Sequence, residues 1–178
     1  MAALQAVKHI NEKNTVCLCV GDGSTPRTAV LACYLHHWAT VVSIDPALKV
    51  EWIGKEPKEV IGLIGFQGTL QDFMESSSLV DSTRNYNHLV ILLVHSHARF
   101  IGPCSIERVR AKFAAPPTTV VSLPCCTRFR HIQDLHLQPT IRYDDECVFS
   151  ACRTVEVWTF EKDEHAELMC QPVAANPS

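Results

Sequence analysis

Apolar residues along this chain gather into short, nearly unbroken runs, separated by stretches in which they recur every third or fourth position. Unbroken apolar runs of this length, rich in β-branched side chains, read as strands buried on both faces. Thr15–Val20 (TVCLCV), Thr40–Ile44 (TVVSI), His88–Val94 (HLVILLV), Thr118–Leu123 (TTVVSL) and Thr154–Phe160 (TVEVWTF) are of this kind. Residues 60–66 predict one more strand, although Gly62 and Gly65 interrupt it. Leu4, Val7 and Ile10 stand at helical spacing and predict a helix over 2–12. Ala29, Leu31, Ala32 and Leu35 predict another, ending near His37. Ser24 or Thr25 is placed to cap that helix, and Pro26 suits its first turn. Further helices are predicted over 70–80 and 105–114, the latter capped by Ser105 and stopped by Pro116-Pro117. The last strand is expected to form a hairpin with residues 147–151.

Alternating apolar strands and helices predict a three-layer α/β/α, doubly wound, mostly parallel sheet. The 178 residues suffice for one domain with a substantial core, here 1–162, followed by a polar and then loose stretch, 163–178, read as a flexible tail. A net charge of −3 with both signs interspersed predicts neither an anionic membrane nor nucleic acid as partner. No run approaches the roughly 18 apolar residues of a membrane span, so no membrane association is expected. The first residues, MAALQAVKHINEKN, mix charge into an apolar pattern unlike a signal peptide. The nine cysteines then read as thiols of a cytoplasmic protein rather than as a disulfide framework.

In a doubly wound sheet, ligands bind beyond the carboxyl ends of the strands. The residues at those ends therefore carry the chemistry: Gly21 to Thr25, Asp45, His95 to His97, and Pro124 to Cys126. Gly21 and Gly23 permit positive φ and close approach of a ligand to the backbone. The helix after them points free N–H groups at the same place. Asp45 follows Gly23 by 22 residues, the placement of an acid that accepts hydrogen bonds from ribose hydroxyls. The plain structural alternative is a tight turn at Gly21-Asp22-Gly23 and a loop cap at Asp45.

Strand, glycine turn, helix and acid-tipped second strand together resemble the cofactor-binding half of class I S-adenosylmethionine-dependent methyltransferases. The resemblance spans most of residues 15–160 through short motifs. It implies a Rossmann-like sheet whose last strand is antiparallel, and S-adenosylmethionine as cofactor, held by Gly21, Asp22, Gly23, Ser24, Thr25 and Asp45. The chain departs from that pattern twice: Cys19 stands where an acid precedes the first glycine, and Thr25 where a third glycine follows. The acid that covers the adenine is not evident, Asp72 being the nearest candidate. A nicotinamide-dinucleotide protein shares the glycines and the acid. Its fingerprint, however, needs a third glycine where this chain has Pro26.

The fourth and fifth strand ends, VHSHARFIGPC and SLPCCTRFR, are similar to a subset of these methyltransferases, some acting on RNA, with a Pro-Cys-Cys fifth-strand end. His95-Ser96-His97-Ala98 has neither the amide carbonyl nor the ring with which exocyclic amines of bases are methylated. An imidazole, near pKa ~6.5, can instead take a proton from a hydroxyl or ring nitrogen. His95 and His97 share one face if the strand continues through them. Arg128 and Arg130, flanking Phe129, can hold a phosphate backbone and make a nucleic acid, RNA included, the first substrate class to consider. Adjacent Cys125 and Cys126 lack the spacing of a metal site, and no metal is expected. The expected activity is methyl transfer to a hydroxyl or ring nitrogen. A non-catalytic binding module with a degenerate pocket is the alternative.

Overall fold

The computed structural model describes residues 2–10, 13–76, 86–124, 131–146, 148 and 152–162. The elements follow in the order α1 (Ala2–Ala6), β1 (Thr15–Val20), α2 (Arg27–His36), β2 (Thr40–Ile44), β3 (Gly54–Lys55), β4 (Leu63–Phe66), α3 (Leu70–Glu75), β5 (His88–Val94), α4 (Ile106–Lys112), β6 (Thr118–Leu123), α5 (Ile132–Leu135), β7 (Ile141–Asp144) and β8 (Thr154–Phe160). Five strands coincide with the apolar runs read from the sequence.

The eight strands among the described residues form one sheet in the order β3-β4-β2-β1-β5-β6-β8-β7. β4, β2, β1, β5 and β6 are parallel, while β8 runs antiparallel to β6, and β7 to β8. The chain winds outward from β1 through β2 to β4, then returns to the other side of β1 with β5 and β6. The reversal lies between β1 and β5, where connections leave in opposite directions and a crevice opens above the sheet.

Alternate side chains of each strand face opposite ways. Val16, Leu18 and Val20 of β1 join Leu89, Ile91 and Leu93 of β5, Val42 and Ile44 of β2 and Trp158 of β8 on one face, packed with Phe73, Phe100, Ile106 and Val109. Cys17, Cys19, Val41, Val90, Leu92 and Val121 face the other side, against α1, Ala29 and Ala32 of α2, and Trp38. Each fully buried Leu, Ile, Val or Phe contributes about 1.5–3 kcal/mol of transfer free energy. Two-sided burial explains why these strands read as continuous apolar runs.

The departures from expectation are local. α2 takes no cap from Ser24 or Thr25; the first turn is bound instead by Asp22, whose Oδ1 accepts from Thr28 N and Oδ2 from Ala29 N, each at 2.9 Å. β4 begins at Leu63, because Gly62 has φ +80° and turns the chain into the strand. Gly65 pairs with Gly54 of the two-residue edge strand β3, and any Cβ on it would strike the Trp52 carbonyl. α3 ends at Glu75, with Ser76 already extended. α4 has the expected Ser105 cap but stops at Lys112, ahead of the prolines, with Ala114 and Ala115 at positive φ. β8 pairs with β7; of the residues expected to form its hairpin, Cys147 and 149–151 lie outside the described residues.

Candidate functional site

The crevice at the strand reversal holds a cleft of ≈ 590 Å³, lined by the ends of β1 (Val20, Gly21), β2 (Ile44 to Pro46), the turn into α3 (Gly68 to Gln71) and the segment after β5 (His95 to Arg99, Ile101, Cys104). That volume lies within the roughly 300–1,000 Å³ of small-molecule and cofactor sites.

Gly21 has φ +77°, and a Cβ added to it would lie 2.7 Å from Ser96 Oγ. Only glycine lets the β1 turn cross this closely to the β5 end. Gly21 N donates to Ile44 O at 2.8 Å, tying the turn to β2. Gly23 N donates to Asp45 Oδ2 at 2.8 Å, and Ala47 N donates to Asp45 Oδ1 at 2.7 Å. Asp45 N donates to Phe66 O and Asp45 O accepts from Gly68 N, both at 3.2 Å. The Asp45 carboxylate, 8% exposed, is therefore locked at the meeting point of three strand ends. Each of its oxygens has accepted one backbone N–H and keeps a second lone pair.

The other residues of the glycine turn are placed differently. Asp22 turns away from the cleft to cap α2, and its Oδ2 also accepts from Ser43 Oγ at 3.4 Å. Burial pushes its carboxyl up, against the pull of the Thr28 and Ala29 N–H groups. Ser24, exposed, and Thr25 lie outside the cleft wall. Cys19 is buried in the core, where desolvation first, then Cys17, pushes its thiol well up. Asp72 closes a capping box: Thr69 N and Oγ1 donate to its Oδ2 at 2.8 and 2.7 Å, and Asp72 N donates to Thr69 Oγ1 at 3.2 Å. Those bonds hold its carboxyl below the usual range. The carboxylate belongs to the start of α3 and does not line the cleft.

His95 and His97 both line the cleft and are both exposed, yet strand alternation does not unite them. β5 ends at Val94, and His95 takes a left-handed φ of 58° while its N–H donates to Leu123 O at 2.8 Å. Ser96, buried between the two histidines, folds the turn by accepting Ala98 N on its Oγ at 3.1 Å.

A polar support behind this turn, built on the buried Asp134 and His131, has no counterpart in the sequence reading. The Arg99 guanidinium spans Asp134 of α5, with Nε 2.9 and 2.8 Å from Oδ1 and Oδ2 and Nη2 2.6 Å from Oδ1. Phe100 N adds a further bond to Oδ2 at 3.1 Å. Burial pushes the Asp134 carboxyl up, but Arg99 and the Phe100 N–H outweigh it and hold it below the usual range. His131, fully buried, meets Ser122 Oγ through Nδ1 at 2.7 Å. Burial drives its imidazole down to about 4, opposed by Asp134 and by a hydrogen bond to the Ala98 backbone. β6, α5 and the segment after β5 are thus clamped together by polar contacts. Cys125, Cys126, Arg128 and Arg130 lie outside the described residues.

No family model matches the chain, and no curated protein matches it. Solved structures with similar backbones include an rRNA methylase from Streptococcus thermophilus, at 6% identity over 90% of this chain and 94% of that one, with a TM-score of 0.47. The B. subtilis M1A22 tRNA methyltransferase TrmK shares 11% identity over 97% of this chain and 70% of its own, at TM-score 0.47. M. capricolum TrmK, in complex with S-adenosyl-homocysteine, shares 9% over 90% and 67%, at 0.46. The strand order, with β8 reversed between β6 and β7 beside a parallel doubly wound core, describes a Rossmann-like α/β fold.

Proposed function

We propose that this chain binds S-adenosylmethionine in the cleft and is a methyltransferase acting on a hydroxyl or ring nitrogen, with nucleic acid the first acceptor class. The observation that carries the reading is Asp45: a carboxylate locked by Gly23 N and Ala47 N at the tip of β2, inside a cleft of suitable size. Its remaining lone pairs suit the two hydroxyls of a ribose. Gly21 lets the β5 end close against the β1 turn through Ser96 at the base of the cleft, and Leu70, Ile101 and Cys104 offer apolar walls for a base. When bound, the cofactor supplies an electrophilic methyl group. The chain's own part is placement, in line and about 3 Å from the methyl carbon, together with proton removal. His95 or His97, both exposed at the rim, orients the acceptor or takes its proton. Arg128 and Arg130, which follow β6 in the sequence, are assigned to the acceptor's phosphates.

One observation favours binding without turnover as a second reading. Asp22 is committed to α2 and Cys19 to the core, so neither offers a carboxylate to the amino group of a methionine moiety.

Thermal unfolding against S-adenosylmethionine, S-adenosylhomocysteine and NAD tests the binding claim. Ligand at a hundred times its dissociation constant adds about 2.7 kcal/mol, roughly 5–10 °C for a chain of this length. The expected result is that shift with the two methionine-derived ligands alone, and none in Asp45→Ala measured against its own ligand-free midpoint. An equal shift with NAD, or an undiminished one in Asp45→Ala, overturns the assignment. Transfer of labelled methyl to RNA, lost in His95→Ala or His97→Ala with binding retained, separates turnover from binding alone.

A further inference from the structure

β7 (Ile141–Asp144) closes one side of the sheet, and all four of its residues are exposed. Among the described residues it pairs only with β8, so its outer edge presents a row of backbone donors and acceptors. Natural sheets blunt such edges with proline, lysine, a bulge or a covering element. β7 has no proline or lysine. It is short and carries two charges, but Arg142 and Asp144 are of opposite sign and so can attract rather than repel a second copy. Ile141 and Tyr143 are 54% and 37% exposed. We infer that β7 is a self-association edge: two copies of the chain pair through antiparallel β7 strands about a twofold axis at Tyr143.

Backbone parity and charge select that axis independently. Asp145 N donates to Arg153 O, continuing the β7–β8 register one residue past Asp144 opposite Thr154. Hydrogen-bonded pairs alternate along an antiparallel ladder. Asp145, Tyr143 and Ile141 therefore turn their N–H and C=O groups toward β8, and Arg142 and Asp144 turn theirs outward. An outer strand must bond to Arg142 and Asp144. With the axis at Tyr143, Arg142 of one copy stands opposite Asp144 of the other, twice over. All four residues in those pairs are outward-facing, giving about four interstrand hydrogen bonds. Moving the axis by half a residue sets outward groups against inward ones. Moving it to Arg142 or to Asp144 keeps the parity but places two guanidiniums, or two carboxylates, face to face, which is destabilising.

The side chains fit the same register. Arg142 lies 3.5 Å from Glu156 Oε1 with its side chain 48% exposed, and Asp144 accepts from Thr154 Oγ1 at 2.7 Å. Both side chains share one face of the strand, so the cross-copy ion pairs form on that face. On the opposite face the two Tyr143 rings meet in a non-hydrogen-bonded pair, with Cα atoms about 4.5 Å apart. Each Ile141 then lies diagonal to the other copy's Tyr143, within reach of its ring. The edge is thereby self-complementary in hydrogen bonds, charge and apolar surface. Its occupant is a second copy, and the short strand implies a dimer in exchange with monomer.

Sedimentation velocity of the full chain, from sub-micromolar to about a hundred micromolar, reads the association directly, since small interfaces give weak, exchanging dimers. The expected result is a concentration-dependent dimer that is lost in Asp144→Arg, which opposes like charges. It is also lost in Asp144→Pro, which removes an outward N–H without touching the β8 ladder. Chains carrying Arg142→Glu, monomeric alone, should form heterodimers when mixed with Asp144→Arg chains, because both cross-copy pairs then carry opposite charges. Far-UV circular dichroism establishes that each variant is folded. A wild-type chain that stays monomeric throughout, or a dimer that survives in both folded Asp144 variants, overturns the inference.

Discussion

At Gly21 backbone conformation and packing make the same demand. Its φ of +77° is strained for any L side chain, and its missing Cβ is the space that Ser96 occupies. Gly21→Ala should therefore lower stability by about 2–5 kcal/mol, from left-handed strain plus overpacking against the β5 end. Urea unfolding monitored by circular dichroism checks this, and a cost below half a kilocalorie would mean that the turn rearranges freely. His131 makes a different demand, on pH. Its imidazole is held near 4 by burial, against 6.5 ordinarily, so between these values the unfolded chain binds a proton that the folded chain does not. Stability therefore rises with pH across that window. The contribution, about 3 kcal/mol, is complete above 6.5 and is lost as pH falls toward 4. His131→Asn, which keeps a polar atom near Ser122, should flatten the dependence between pH 4 and 6.5. It should leave the acid limb below it, where the depressed Asp134 carboxyl protonates. Gly21 and Asp45 were legible as site residues because a glycine turn and an acid at a fixed separation are local signals. The contacts of Ser96, His131 and Asp134 were not, because each matters only through partners on other elements, such as Arg99 for Asp134, that no spacing in the sequence announces.

Among the elements, α2 shows how a misread cap changes the meaning of a motif. Ser and Thr before a helix are common caps, but at the N-cap position stands Pro26, with no side-chain bond. The early N–H groups, of Thr28 and Ala29, go instead to Asp22, six and seven positions upstream of them. Asp22→Ala should cost about 1–2 kcal/mol, the range for loss of a capping side chain. Asp22→Asn should recover part of it, since one amide oxygen can still accept while its NH₂ faces a donor. Equilibrium urea unfolding of the three proteins orders them wild type, Asn, Ala. Equal stabilities would assign α2's hold on the sheet to Ala29 and Ala32 packing alone. The elements that the sequence concealed are those without a buried face. β7 is exposed along its length and its alternation spans only four residues, while β3 is two residues long, so neither makes a run long enough to read as a strand. β1, β2, β5, β6 and β8 matched to the residue because two covered faces favour apolar and β-branched side chains along the whole strand. Helix ends were read too long where the chain turns without glycine or proline, as at Ser76 and Phe113.

Over the whole molecule, the two apolar layers are opposite faces of the same strands, so neither can open without the other. Leu18 and Cys17 are neighbours in β1 yet belong to different layers, as do Ile91 and Val90 in β5. Two buried indoles report on the layers separately: Trp158, 1% exposed, on the face with Phe73 and Phe100, and Trp38, 4% exposed, on the face with α1 and α2. Each is anchored by its Nε1, to Leu137 O and Ile10 O respectively, both at 3.0 Å. In chains carrying Trp52→Phe with either Trp38→Phe or Trp158→Phe, one reporter remains per protein. A sheet that unfolds as a unit predicts that, within each variant, the fluorescence midpoint in urea coincides with the far-UV circular dichroism midpoint. The cleft adds a stricter form of the prediction. Asp45 and Gly21 join β1, β2 and the β5 end, which carry both layers, so a ligand held there should raise the two indole midpoints equally. A midpoint that moves for Trp158 but not for Trp38 would mean that the α1–α2 layer melts independently, and that the site is built on one face of the sheet alone.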